Sequence, residues 1–255
     1  MFTLKKFEEL IVDPYPVGII NPIFDQEIYL EMVAKFPPVD LFSFRSELGG
    51  KSSFSSRFDS KYYQFIKKNK IWSNFNDFIN SDECFFKILK FLKENKINLF
   101  NSGHKFINTN NSLNKNIEKF VKLISLNKLK LTSSPFYSKF EFSIMKGSGG
   151  HILPHTDSPK KIITLVVNIL NPNEWEDNWG GGTSIVKPKD KNENYNYLNK
   201  QFEFNQIENI KTFKYTPNQA VLFVKTFNSF HCVYPIKSTN PNSLRRTLTI
   251  NFFVD

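Results

Sequence analysis

Apolar positions in the first half of the chain recur at helical spacing. In the second half they come in short runs separated by turn residues. Over 25–36, Ile28, Leu30, Met32, Val33 and Phe36 follow a mostly 3.6-residue period that Pro37-Pro38 ends. A second helix is expected over 77–96, carrying Phe78, Ile79, Phe85, Ile88, Leu89 and Leu92, and a third over 113–126, carrying Ile117, Phe120, Val121 and Ile124. The stretch 43–60 is rich in Ser, Gly and charge and reads as a loop. With Phe42, Phe44, Arg45 and Arg57 at hand, it is a candidate lid.

After Ser133-Ser134-Pro135 the texture changes to β-type runs at 136–145, 162–170, 183–186, 220–224, 231–236 and 247–254. Glycines at 147, 149–150 and 180–182, and Pro or Asn pairs at 171–173 and 217–218, punctuate them. Short strands at regular spacing with turn chemistry between them predict a sandwich or barrel. The stretch 187–215 is polar, then weakly β-like, and reads as a surface excursion. The expected class is α+β, with a helical support region at 1–130 packed on a β core at 131–255 as a single structural unit.

Composition narrows the picture. An apolar fraction of 40% excludes wholesale disorder. The 28 Phe, with many Asn, Lys and Ile, read as codon bias, and the same bias accounts for most of the +10 charge. An anionic partner, nucleic acid included, is not excluded, yet Lys160-Lys161 and Arg245-Arg246 are too short for a nucleic-acid arm. Cys84 and Cys232 form no C-x-x-C pair, so a reducing interior is expected. With no signal-peptide pattern and no long apolar span, the expectation is a soluble, cytoplasmic protein without a membrane partner.

The candidate chemistry starts at His155-Thr156-Asp157. If this piece is extended, positions i and i+2 share a face, so one imidazole and one carboxylate can converge on an ion. Of the four His (104, 151, 155 and 231), His231 opens a β-type run and can supply a third ligand from another strand. Two His and one carboxylate on one face of iron leave the opposite face open. An H-x-D alone is weak evidence, because such a pair is more often a surface ion pair. Its flanks raise the signal: a glycine turn, Pro154, an apolar strand, a Trp-Gly-Gly turn, a strand into His231 and an Arg on the last strand.

GGHILPHTDSPKKIITLVVNILN, WGGGTSIVKP, AVLFVKTFNSFHCVYPI and RRTLTINFF resemble successive blocks of the prolyl-4-hydroxylase-like branch of the Fe(II)/2-oxoglutarate oxygenases, over about 136–255. The resemblance implies a double-stranded β-helix (jelly-roll), Fe(II) on His155, Asp157 and His231, and 2-oxoglutarate chelating that iron. It implies hydroxylation with O2, release of succinate and CO2, and ascorbate as an accessory reductant. A protein side chain such as proline leads the substrate classes, with small molecules next. Asp157 separates the chain from related halogenases, which lack the carboxylate.

The family binds the distal carboxylate of 2-oxoglutarate through a basic residue on the last strand. Alternation puts Arg245, Thr247, Thr249 and Asn251 on one face and Arg246, Leu248, Ile250 and Phe252 on the other. The family register selects Arg245, with Thr247 as a helping hydroxyl, and leaves Arg246 solvated. Two Tyr usual in the family, one of which often contacts 2-oxoglutarate, are replaced here by Lys146 and Asn168; both are candidate cosubstrate contacts, the plainer reading for Lys146 being an exposed turn residue. His151 and Trp179 are candidates for the substrate mouth, the plainer reading being a turn residue and packing around the glycines. Two rivals remain. One is a cupin-like metal-dependent isomerase or hydrolase, which needs no Arg245; the other is a non-catalytic jelly-roll binding module.

Overall fold

The computed structural model describes residues 1–45, 50–97, 99 and 136–254. The helix expected over 113–126 and His104 lie outside the described residues. Strands β1 (Glu9–Ile11) and β2 (Val17–Ile20) precede helix α1 (Gln26–Ala34). Then come β3 (Ser43–Arg45), β4 (Lys51–Ser55), α2 (Tyr62–Lys68), α3 (Lys70–Ile79) and α4 (Asp82–Glu94). The second half is strands joined by loops and three short 3-10 turns: β5 (Phe136–Lys146), β6 (Ile152–His155), β7 (Lys161–Asn168), β8 (Thr183–Pro188), β9 (Ile207–Phe213), β10 (Ala220–Val224), β11 (His231–Val233) and β12 (Leu244–Val254).

These strands form an eight-stranded sheet, ordered β1-β2-β10-β7-β12-β5-β4-β3, and a four-stranded sheet, ordered β6-β11-β8-β9. Among β5 to β12, the chain alternates between the sheets except at the β8–β9 hairpin, and all pairings are antiparallel. That winding is the double-stranded β-helix. The two long strands β5 and β12 pair along their whole length, Leu244 opposite Lys146 through Val254 opposite Phe136.

The helices cover the outer face of the large sheet, where period-2 alternation presents one apolar set. Phe54, Phe142, Leu248, Val167 and Ala220 are direct neighbours across five strands, and all are buried in one core. Against them α3 places Ile71, Trp72, Phe75 and Ile79, a single helical face. Trp72 meets Phe142 edge-on at 4.7 Å, and its indole N–H donates to the Lys35 carbonyl at 2.6 Å. Burying so large a ring with its one donor satisfied is among the stronger core contributions.

Four expectations change. The first half is not purely helical: β1–β2 and β3–β4 extend the large sheet at both edges. The 43–60 loop carries the β3–β4 hairpin, because Ser53, Phe54 and Ser55 alternate in step with β5 and find its free edge. The excursion at 187–215 contains β9, which pairs with β8 from Thr183 opposite Phe213 to Pro188 opposite Ile207. The helix expected over 77–96 begins instead at Asp82. The Ser81 hydroxyl accepts from the Cys84 N–H at 3.2 Å and caps α4, separating it from α3.

Candidate metal and cosubstrate site

His155 ends β6 and His231 opens β11, and the two residues are direct cross-strand partners in the small sheet. Their rings sit 4.4 Å apart. Each Nδ1–H donates to a backbone carbonyl two residues back, His155 to Leu153 at 2.8 Å and His231 to Ser229 at 2.9 Å. That bond turns the Nε2 lone pair of both rings into the barrel, the orientation a metal ligand needs. Asp157 Oδ1 lies 3.5 Å from Nε2 of His155, and Oδ2 lies 3.9 Å from Nε2 of His231. One donor atom from each residue falls within 4.8 Å of the others. Among the described residues no other such group occurs.

The route to this geometry differs from simple strand alternation. β6 stops at His155, and Asp157 sits beyond it at φ 72°, in the left-handed region that a non-glycine residue rarely enters. Strain of this kind marks sites where the surroundings fix the backbone for function. Here Lys161, at the start of β7, donates to Asp157 Oδ1 at 2.9 Å, and the Thr164 hydroxyl lies 3.4 Å from Oδ2 and 3.1 Å from Asn251 Oδ1. Burial alone would raise the Asp157 pKa. The Lys161 ammonium overcomes it and holds the carboxyl well below its usual 3.8. Burial, helped by His155, brings the His231 imidazole down to about 3. A carboxylate and a neutral imidazole are the protonation states that coordinate metal.

On β12 the two arginines separate as alternation requires. Arg246 turns outward and pairs with Glu174 at the protein surface. Arg245 turns inward with 2% exposure. Its Nε–H donates to the carbonyl of Gly181, and its guanidinium lies 5.1 Å over the Tyr215 ring. No described carboxylate pairs with it, and burial lowers its pKa to about 10. Gly181 permits this approach. Its φ is +81°, and a Cβ there would stand 3.0 Å from Trp175 and 3.5 Å from Arg245 Cδ. Thr247 and Asn168 face each other across β12 and β7, both buried, with the Asn168 amide donating to Thr216 at 3.1 Å.

The remaining candidates fall elsewhere. Lys146 is exposed, because the inward position opposite Arg245 belongs to Met145. Trp179 is 7% exposed and packs with Met145, Val233 and Ile236, so it is core. His151 is half-buried; its Nδ1–H donates to Gly149 at 2.9 Å, and its ring meets Phe204 at 5.8 Å. Sequence reasoning missed Tyr215, Gly181, Lys161 and Ser143. Of these only Lys161, four residues after Asp157 and at the start of an apolar strand, left a local signal.

The model of the 2OG-Fe(II) oxygenase superfamily matches residues 140–254, the segment that carries every residue of this constellation. Residues 140–254 form a 2OG-Fe(II) oxygenase domain. The cofactors of that family are Fe(II) and 2-oxoglutarate, and its members use O2 and a second substrate. No curated protein gave a match. Among solved structures, a Pseudomonas putida prolyl-4-hydroxylase is similar at 11% identity and TM-score 0.47, covering 94% of this chain and 92% of that one. A Trichoplax adhaerens prolyl hydroxylase, in complex with a hypoxia inducible factor oxygen degradation domain peptide fragment, is 16% identical at TM-score 0.45, covering 93% and 83%. The non-heme alpha ketoglutarate dependent epimerase SnoN is 7% identical at TM-score 0.46, covering 93% and 76%. No described helix is long and apolar enough to cross a membrane.

Proposed function

We propose that this oxygenase domain hydroxylates a C–H bond of its substrate with release of succinate and CO2, using His155, Asp157 and His231 to hold Fe(II) and Arg245 to hold 2-oxoglutarate. The observation that carries the reading is the pairing, inside one barrel, of three convergent donor groups with a buried guanidinium that lacks a carboxylate. A buried cation without a counterion is costly, and a dicarboxylate reaching from the metal would supply one. The donor set fits iron: two imidazoles and one carboxylate leave half the coordination sphere for other ligands.

When bound, iron and 2-oxoglutarate supply the oxidising chemistry. The chain supplies placement. Arg245 would grip the distal carboxylate through its two terminal nitrogens, since Nε is already committed to Gly181. Thr247 and Ser143, adjacent on the inner face, would offer hydroxyls beside it; the Ser143 hydroxyl is buried with no partner. Thr164 and Lys161 would keep Asp157 ionised and oriented, and the carbonyls of Leu153 and Ser229 would keep both imidazoles in the ligating tautomer. A cupin-like isomerase or hydrolase that ignores 2-oxoglutarate would have no use for the Arg245 arrangement.

Anaerobic Fe(II) titration tests this. A weak visible metal-to-ligand band should appear only when 2-oxoglutarate is added, and Arg245→Ala should raise the keto-acid concentration it requires. A band indifferent to 2-oxoglutarate, or abolished by Arg246→Ala instead, contradicts the assignment.

A further inference from the structure

The inner face of the large sheet continues past the jelly-roll strands onto the β3–β4 hairpin, and it stays polar there. Ser53 stands opposite Ser143, Ser55 opposite Glu141, and Arg45 opposite Lys51. Phe54, between the two serines, points to the helical side. Four described buried side-chain polar atoms lack any hydrogen-bond partner; two of them, Arg45 Nη2 and Ser55 Oγ, lie on this strip, and a third, Ser143 Oγ, borders it on β5. Folded proteins rarely leave such atoms unmet, so their clustering points to a ligand.

The charges say which kind. Lys51 is buried and satisfied by Glu141, to which it donates. Arg45 directly faces Lys51, and since Glu141 answers the Lys51 charge, the Arg45 guanidinium beside it is left without an anion of its own. Arg45 donates from Nε to Ser53 at 3.2 Å and lies 3.9 Å over the Phe58 ring, with Arg57 4.8 Å from that ring. No described carboxylate pairs with Arg45. The nearby Asp59 is already used by the Ser43 hydroxyl and the Ser55 N–H, both at 2.8 Å. The strip adjoins the metal site: Ser55 and Thr249 flank Glu141 across β4, β5 and β12, and two residues along β12 Asn251 accepts from Thr164, whose hydroxyl also reaches Asp157.

We infer that the strip formed by Arg45, Lys51, Ser53 and Ser55 holds an oxyanion of the substrate, a carboxylate or a phosphate, and presents the adjoining carbon to the metal. The inference rests on the function proposed above and narrows it to anionic substrates. A planar guanidinium with flanking hydroxyl donors matches either anion. Glu141 holds Lys51 on the metal side of the strip and leaves Arg45 free on the far side.

The test measures succinate release from the Fe(II)- and 2-oxoglutarate-loaded full chain with three sets of probes: small carboxylates, small phosphate esters, and neutral amides with a prolyl peptide. Stimulation is expected within one of the two anionic sets, and which set responds decides the anion. Arg45→Gln should raise the KM of the stimulating compound roughly 10- to 100-fold with kcat little changed, Arg45→Lys should restore part of it, and Ser55→Ala should act in the same direction more weakly. Stimulation confined to the neutral set, no stimulation by any anionic probe, or a KM unmoved in both Arg45→Gln and Ser55→Ala overturns the inference. The anaerobic 2-oxoglutarate band, recorded in the unsubstituted protein, separates the two failures, since its absence would remove the oxygenase reading itself.

Discussion

Two neighbouring rows of side chains cross the large sheet one residue apart, and they have opposite characters. Phe54, Phe142, Leu248, Val167 and Ala220 face the helices and are apolar throughout. Ser53, Ser143, Thr247 and Asn168 face the barrel and are polar throughout. A third row, also facing inward, changes along its length from Ser55, Glu141 and Thr249 to Val166, Val221 and Ile19. The outer face therefore stores stability, whereas the inner face is divided between a dry end around Tyr15, Val17 and Phe223 and a polar end around Glu141 and Ser143, with the His231 ring against Phe223 at the boundary. Because strand alternation is strict, one register sets both.

The largest effect that would sharpen this division lies on the outer row. Phe142→Ala should cost about 3–5 kcal/mol of stability, by denaturant unfolding, while the folded fraction keeps its iron affinity. Next comes Arg245→Ala. It should weaken 2-oxoglutarate binding by roughly 100-fold, read by calorimetry on the iron-loaded protein, and leave stability unchanged or higher because an unpaired buried cation is removed. If Phe142→Ala instead weakened iron as strongly as folding, or Arg245→Ala unfolded the chain, the two faces would not be separable.

Acid should act through the inner face. His231 titrates near 6.5 when unfolded and is held down to about 3 when folded, so between these values the unfolded chain binds the extra proton. Stability of the iron-free protein should be fully present above about 6.5 and fall as the pH drops toward 3. His231→Asn should flatten that part of the profile. The smallest effect is expected at Arg246→Ala, where loss of a partly exposed pair with Glu174 should cost no more than about 1 kcal/mol and leave cosubstrate binding intact.

Alternation made the inner face of β12 legible from sequence, and the separation of Arg245 from Arg246 follows from it. Spacing made His155, Asp157 and His231 legible as a set. It did not reveal how Asp157 reaches its place, since a left-handed backbone after a strand end has no residue signature when the residue is aspartate. The edge hairpin β3–β4 hid behind Ser and Gly because its inward residues are polar, so the period of 2 carried no hydrophobic contrast. Tyr215 and Gly181 were invisible for a different reason: each meets Arg245 only through the fold, from 30 and 64 residues away in the chain.

Anomalous diffraction at the iron edge, on crystals grown without oxygen in Fe(II) and 2-oxoglutarate, bears most directly on the central assignment. A single iron peak bonded to Nε2 of His155, Nε2 of His231 and a carboxylate oxygen of Asp157, with the far carboxylate of the keto acid on the Arg245 guanidinium, is the result expected. Iron seated elsewhere, or the keto acid oriented away from Arg245, would contradict it.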